Sequence, residues 1–179
     1  MVLMGYYADG VEHARATHGI QEMAPAIPYA FALDYARLSR LRHETGIKSS
    51  VVALVFDLDE ARDALFEQVV RSRRALDVAW PVRNAHHRAM LTLMPLSDAQ
   101  AVSAYLVRIE DMLRAQFGTD FSSAHIGVYT LSVPAEGAEE ALMRLLHRCQ
   151  LDGASTITAV QADGTRDVSV AGAGPARAG

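Results

Sequence analysis

Apolar and polar positions recur along the chain with periods that change from segment to segment, and each change marks an element. From about Pro28, Phe31, Leu33, Tyr35, Leu38 and Leu41 recur against Asp34, Arg37, Arg40 and Arg42 with nearly helical spacing. This predicts an amphipathic helix stopped at Gly46. Ser50–Phe56, reading SVVALVF, is a valine-rich apolar run of strand length, the pattern of a central strand buried on both faces. Leu65, Phe66, Val69 and Val70 return to helical spacing opposite Arg62, Glu67, Arg71 and Arg74, so a helix is expected from about Glu60 to Arg74. Val78–Val82 and Ala89–Met94 read as the two strands of a hairpin around a polar tip, and Pro81 marks the first as an edge or irregular strand. Ser97 or Asp98 can cap the next helix, whose stripe of Ala101, Ala104, Tyr105, Ile109, Met112 and Leu113 runs to Phe117 before Gly118. A strand over Ala124–Ser132 and a helix over Ala138–Gln150 follow.

The order β-α-β-β-α-β-α predicts an α+β fold in which an antiparallel hairpin is inserted in a mixed β-sheet flanked by helices. Residues 1–22 are expected to be a tail or the end of an upstream module, and 23–46 a lead-in helix. That helix either packs on its own domain or pairs with a copy of itself. Residues 47–150 carry the domain. Residues 151–179, rich in glycine, alanine and small polar residues with one strand-like run at Ile157–Val160, are expected to be largely disordered.

Composition narrows the function. Half of the 179 residues are apolar, enough for a real core. No stretch approaches the roughly 20 uncharged apolar residues of a membrane-spanning helix, and the start has no signal-peptide pattern, so a cytoplasmic location is expected. One cysteine, Cys149, excludes an internal disulfide and a CxxC metal site and reads as a small buried residue. A formal charge of -4 argues against a general nucleic-acid partner. Within that acidic background, Arg71, Arg73, Arg74, Arg83 and Arg88 form a basic cluster suited to a small anionic ligand. No metal site is expected: His86 and His87, adjacent in a turn, point apart, so neither His43 nor His125 completes a zinc site with them.

Arg74-Ala-Leu-Asp77 stands just ahead of the hairpin, Val78–Val82 is the spacer, and the tip reads Arg83-Asn84-Ala85-His86-His87. This order of RxxD, spacer and turn resembles the GGDEF (diguanylate cyclase) family, in which RxxD is the inhibitory site for cyclic di-GMP and the signature turn follows at this spacing. The resemblance implies a GGDEF-like fold over roughly residues 29–150, with the signature positions falling on Arg83 to His87. Neither tip glycine nor either acidic residue is retained. Cyclisation of GTP needs carboxylates that hold Mg²⁺ and a tight glycine turn at the nucleotide. Asp57 matches the family's metal-binding aspartate, but the segments expected after it are absent, and Asp57 and Asp59 read as strand-end and helix-cap residues. No catalytic residue is therefore expected, and the chain reads as a receptor rather than an enzyme.

An arginine fork matches the O6/N7 edge of guanine or a phosphate, and a carboxylate accepts from N1-H and N2-H₂; each good bidentate contact is worth roughly 1–3 kcal/mol. Arg74 and Asp77 supply that pair, held adjacent at a helix end by their spacing. Tyr105 and Arg108, on one face of the next helix, can add an aromatic or planar cationic surface for a purine, and Arg71 and Arg73 are additional candidates. The same three features, RxxD, a turn beginning Arg-Asn and Tyr-x-x-Arg on the following helix, are similar to those of the degenerate GGDEF-like cyclic di-GMP receptors of the Pel exopolysaccharide system. That resemblance implies cyclic di-GMP as ligand, membrane-associated polysaccharide synthesis and export proteins as partners, control of biofilm formation, and a place as the cytosolic part of an inner-membrane protein. The reading from a different class is a ligand-free module that forms a homodimer or docks a partner, in which Arg74 and Asp77 are a solvated surface ion pair worth roughly 0–1 kcal/mol.

Overall fold

The uninterrupted apolar run of β1 (Ser50–Asp57) sends alternate side chains into two separate cores. Val51, Ala53 and Val55 enter one, and Val52, Leu54 and Phe56 the other. Such a strand must be covered on both faces, and it is. In this computed structural model, which describes residues 28–74, 77–151 and 154–156, two helices lie on each side of the sheet. In chain order the elements are α1 (Tyr29–Thr45), β1, α2 (Glu60–Arg71), β2 (Val78–Arg83), β3 (His87–Met94), α3 (Ala99–Phe117), β4 (Gly127–Ser132), α4 (Ala138–Arg148) and β5 (Ser155–Thr156).

The sheet order is β4-β1-β3-β2-β5. β1 and β2 run in the same direction, as a βαβ crossover gives, but β3 folds back between them. Every pairing among the described strands is therefore antiparallel, and in this respect the sheet differs from the mixed one expected, within the same α+β class. β5 covers only Val82 and Arg83 of β2, so Pro81 sits in a strand that is an edge over most of its length, where a missing N–H is tolerated.

The lead-in helix packs on its own domain. Phe31, Ala32, Tyr35 and Ala36 are buried against the sheet, with the Phe31 and Trp80 rings 5.3 Å apart. Polar bonds fix its angle: the Tyr35 hydroxyl donates to the Ala138 carbonyl at 2.8 Å, the Ser39 hydroxyl to the Pro134 carbonyl at 2.6 Å, and Arg42 to the Val133 carbonyl at 2.6 Å. α4 shares this face through Leu142, Leu145 and Leu146, beside the buried Cys149, whose thiol is pushed up in pKa to about 12 by burial.

α2 and α3 cover the opposite face with Leu65, Phe66, Val69, Val102, Tyr105, Ile109 and Leu113. Their starts are capped as read: Asp59 accepts from the Ala61 amide at 3.0 Å and Asp98 from the Ala101 amide at 2.9 Å.

Three of the boundaries that differ from expectation do so for a visible local reason. α2 stops at Arg71 rather than Arg74, because the Ser72 hydroxyl takes the Val69 carbonyl at 2.8 Å and its amide is shared between the Gln68 and Val69 carbonyls. β4 begins at Gly127 rather than Ala124, because Asp120 accepts from the Ser123 amide at 2.7 Å and winds the preceding residues into a turn that leaves His125 at φ 51°. α4 ends at Arg148, where Gln150 adopts φ 55° and the Leu151 amide returns to the Leu146 carbonyl at 2.9 Å, a Schellman closure with glutamine at the left-handed position. Beyond it, Leu151 and Ala154 are buried and β5 pairs with β2, so ordered chain continues past residue 150. The segment 1–22 and the Ile157–Val160 run lie outside the described residues.

Candidate ligand-binding site

Arg74 and Asp77 occupy the connection between α2 and β2 rather than the end of a helix. The Asp77 amide donates to the Arg74 carbonyl at 3.1 Å, closing a reverse turn that keeps the two residues together by a different route from the one expected. Arg74 is exposed and Asp77 half-buried, and Arg71 and Arg73 are exposed on the same stretch.

Tyr105 and Arg108 face this turn from α3. The Arg108 guanidinium lies over the Tyr105 ring, 5.4 Å from its centroid, and donates to the Ser72 carbonyl at 3.1 Å. It thereby satisfies a carbonyl at the end of α2 and ties α3 to the root of the RxxD turn. The Tyr105 ring is only 2% exposed, so its accessible side is the guanidinium stacked on it. Its hydroxyl lies 3.4 Å from the Thr92 hydroxyl on β3. Burial raises the Tyr105 pKa above the usual phenol value, the Thr92 hydrogen bond opposes this, the Asp77 carboxylate raises it further, and the Arg108 and Arg74 guanidiniums pull it down. All four residues thus share one electrostatic neighbourhood.

Three polar atoms there have no hydrogen-bond partner although they are shielded from solvent: Asp77 Oδ2 and Arg108 Nε and Nη2. A folded protein rarely leaves such groups unpaired, and each such atom calls for a partner, whether water, an ion or a ligand. An acceptor and a pair of donors are what a guanine edge and a phosphate would engage. Beside Arg108, the outer face of α3 leaves an open depression of about 490 Å³ bordered by Gln100, Ser103, Ala104, Val107 and Asp111.

Ser72 and Thr92 were not legible as members of this group. Ser72 contributes a backbone carbonyl, which carries no side-chain signal. Thr92 did leave one, as the lone hydroxyl within the apolar strand Ala89-Met90-Leu91-Thr92-Leu93-Met94.

The hairpin tip has a separate organisation. Asn84 Oδ1 accepts from the His86 and His87 amides at 2.9 and 2.8 Å, and its own amide donates to the His87 carbonyl at 2.9 Å. Asn84 Nδ2 donates to the Gln150 carbonyl at 2.7 Å, and His87 Nε2 lies 3.2 Å from Gln150 Oε1. Backbone donors that a glycine turn would offer a nucleotide are spent within the tip itself, while its side chains reach the end of α4. At the end of β1, the Asp57 carboxylate is held by Arg62 at 2.6 Å and lies 3.4 Å from His87 Nδ1, while Arg88 pairs with Asp63 and stacks on Phe66.

The family model of the PelD GGDEF domain matches residues 25–149. Among solved structures, PelD 158-CT from Pseudomonas aeruginosa PAO1 in complex with c-di-GMP superposes with a TM-score of 0.60 at 24% identity, over 68% of this chain and 44% of that one. PelD 156-455 from Pseudomonas aeruginosa PA14 in complex with c-di-GMP gives 0.54 at 26% identity, over 65% and 43%, and its apo form 0.59 at 23%, over 67% and 45%. The chain thus spans less than half the length of these structures. No curated protein sequence matches it.

Proposed function

The chain belongs to the PelD GGDEF domain family, and from that premise we propose that it is a non-catalytic receptor for cyclic di-GMP that regulates Pel-type exopolysaccharide synthesis and export, and with it biofilm formation. The observation that carries this reading is the set of shielded, unpartnered atoms on Asp77 and Arg108 beside the exposed Arg74. Arg74 and Arg108 take phosphate or the acceptor edge of guanine, and Asp77 takes the donor edge. Tyr105 acts as the support that holds Arg108 flat. That two of the similar structures are PelD complexes with c-di-GMP supports the choice of ligand.

Absence of cyclase activity is part of the proposal. An aspartate committed to Arg62 and flanked by His87 is a poor ligand for Mg²⁺, and the tip lacks the glycines that would admit a triphosphate. The partners would be membrane-associated polysaccharide synthesis and export proteins, with the described domain on the cytoplasmic side; none of its helices is long and apolar enough to cross a membrane. Occupancy is transmitted only if the ligand prefers one arrangement of the domain and its partners.

Calorimetric titration of cyclic di-GMP into the purified chain tests the reading. Binding is expected, Arg74→Ala should weaken it about 5- to 150-fold for the loss of one bidentate contact, and GTP with Mg²⁺ should give no cyclic product. Absence of heat and of any thermal shift at high ligand concentration would return the chain to the class of partner-docking modules.

A further inference from the structure

The two edges of the sheet are finished differently. β2 carries Pro81 and Arg83 and is partly covered by β5. The other edge, β4, reads Gly-Val-Tyr-Thr-Leu-Ser, with no charge, no proline and an unbroken register against β1. Among the described residues no strand pairs with its outer side. Proteins usually blunt such an edge, and a bare one is a template for another strand.

We propose that β4 docks a second copy of this chain by antiparallel strand addition, with Thr130 on the two-fold axis. The backbone phase permits this register. The Val133 amide donates to the Ser49 carbonyl at 2.9 Å, and the ladder continues in register through Leu131↔Val51 and Tyr129↔Ala53. Residues 129, 131 and 133 therefore turn their backbone groups toward β1, while Val128, Thr130 and Ser132 turn theirs outward. When Thr130 faces Thr130 of the copy, Val128 faces Ser132, and every outward N–H and C=O of the strand meets a partner. Tyr129 then sits opposite Leu131 of the copy as a close pair on the α1/α4 face, where both already lean on the core cluster. A slip of one residue would set Tyr129 against Thr130, whose side chains belong to opposite faces, and a slip of two would leave one outward residue opposite a position beyond the strand, so the Thr130-centred register pairs the most outward groups. Thr130 and Ser132 are exposed, and the strand has no charge to repel its own copy. The proposal rests on the sheet alone and is independent of the ligand reading.

Sedimentation equilibrium of the chain over a wide concentration range tests it. The unaltered chain should rise from the mass of one chain to that of two. Thr130→Lys sets two like charges opposite each other, and Thr130→Pro removes an outward N–H while also fixing the local φ; both should stay at one chain, and Thr130→Lys should keep circular dichroism and cyclic di-GMP titration unchanged. A one-chain mass for the unaltered protein at every concentration overturns the proposal. So does a dimer that survives Thr130→Lys, which carries the test alone should the proline variant not fold.

Discussion

At the scale of single residues, Asp77 and Arg108 set stability against binding. A polar group buried without a partner costs about 1–3 kcal/mol, and both side chains keep such atoms. Asp77→Ala should therefore raise the melting temperature of the free chain or leave it unchanged while removing ligand-induced stabilisation, a pairing that a mere surface ion pair would not produce. Differential scanning fluorimetry with and without cyclic di-GMP reads both quantities. Tyr35 and Tyr105 make a second residue-scale prediction. Burial holds both phenols above their ordinary value, so folding favours the protonated form. Their contribution is complete below the unfolded pKa of about 10 and is lost as pH rises beyond it, at about 1.4 kcal/mol per pH unit for each tyrosine that ionises only on unfolding. Urea midpoints measured through this window should fall with the appearance of phenolate absorbance, and Tyr35→Phe should flatten the slope.

At the scale of elements, the hairpin tip stands on one side chain. Asn84→Ala removes two accepted bonds and the donation to Gln150, and should cost about 1–3 kcal/mol, read as a lower denaturant midpoint with an unchanged slope. The strands on either side were legible because their signals are periodic and continuous, and the caps at Asp59, Asp98, Gly46 and Gly118 because their residue types have one use in such places. What escaped was decided by individual hydrogen bonds, some local and some between distant segments. Nothing in Gln150 announces a left-handed helix end, since glycine is the usual occupant; it is held there by Asn84 and His87 across the fold. The early end of α2 depends on the local bonds of the Ser72 hydroxyl and amide to Val69 and Gln68, and the all-antiparallel pairing of the sheet on partners remote in sequence. For the candidate site, the period of α3 placed Tyr105 and Arg108 on one face, but periodicity could not tell an exposed stacking surface from a buried support.

At the scale of the whole molecule, the domain and its lead-in helix are one folding unit. Phe31 and Tyr35 alone bury side chains worth about 1.5–3 kcal/mol each, against a total stability of about 5–15 kcal/mol for an ordinary domain. A chain shortened to start after Gly46 should lose cooperative thermal unfolding and expose the Trp80 side of the sheet to a hydrophobic dye. The tie between the hairpin tip and α4 also bears on catalysis. Asn84 and His87 join the tip to Gln150, and His87 with Arg62 flanks Asp57, so the residues that replaced the glycine signature have become part of the scaffold. If the chain is the non-catalytic receptor proposed, putting back the signature residues alone should leave it without cyclase activity. A glycine or acid at position 84 or 87 would first loosen the end of α4, and one at 87 would also take a side chain away from the Asp57 carboxylate. The tip works as a latch on the end of α4, set apart from the RxxD turn.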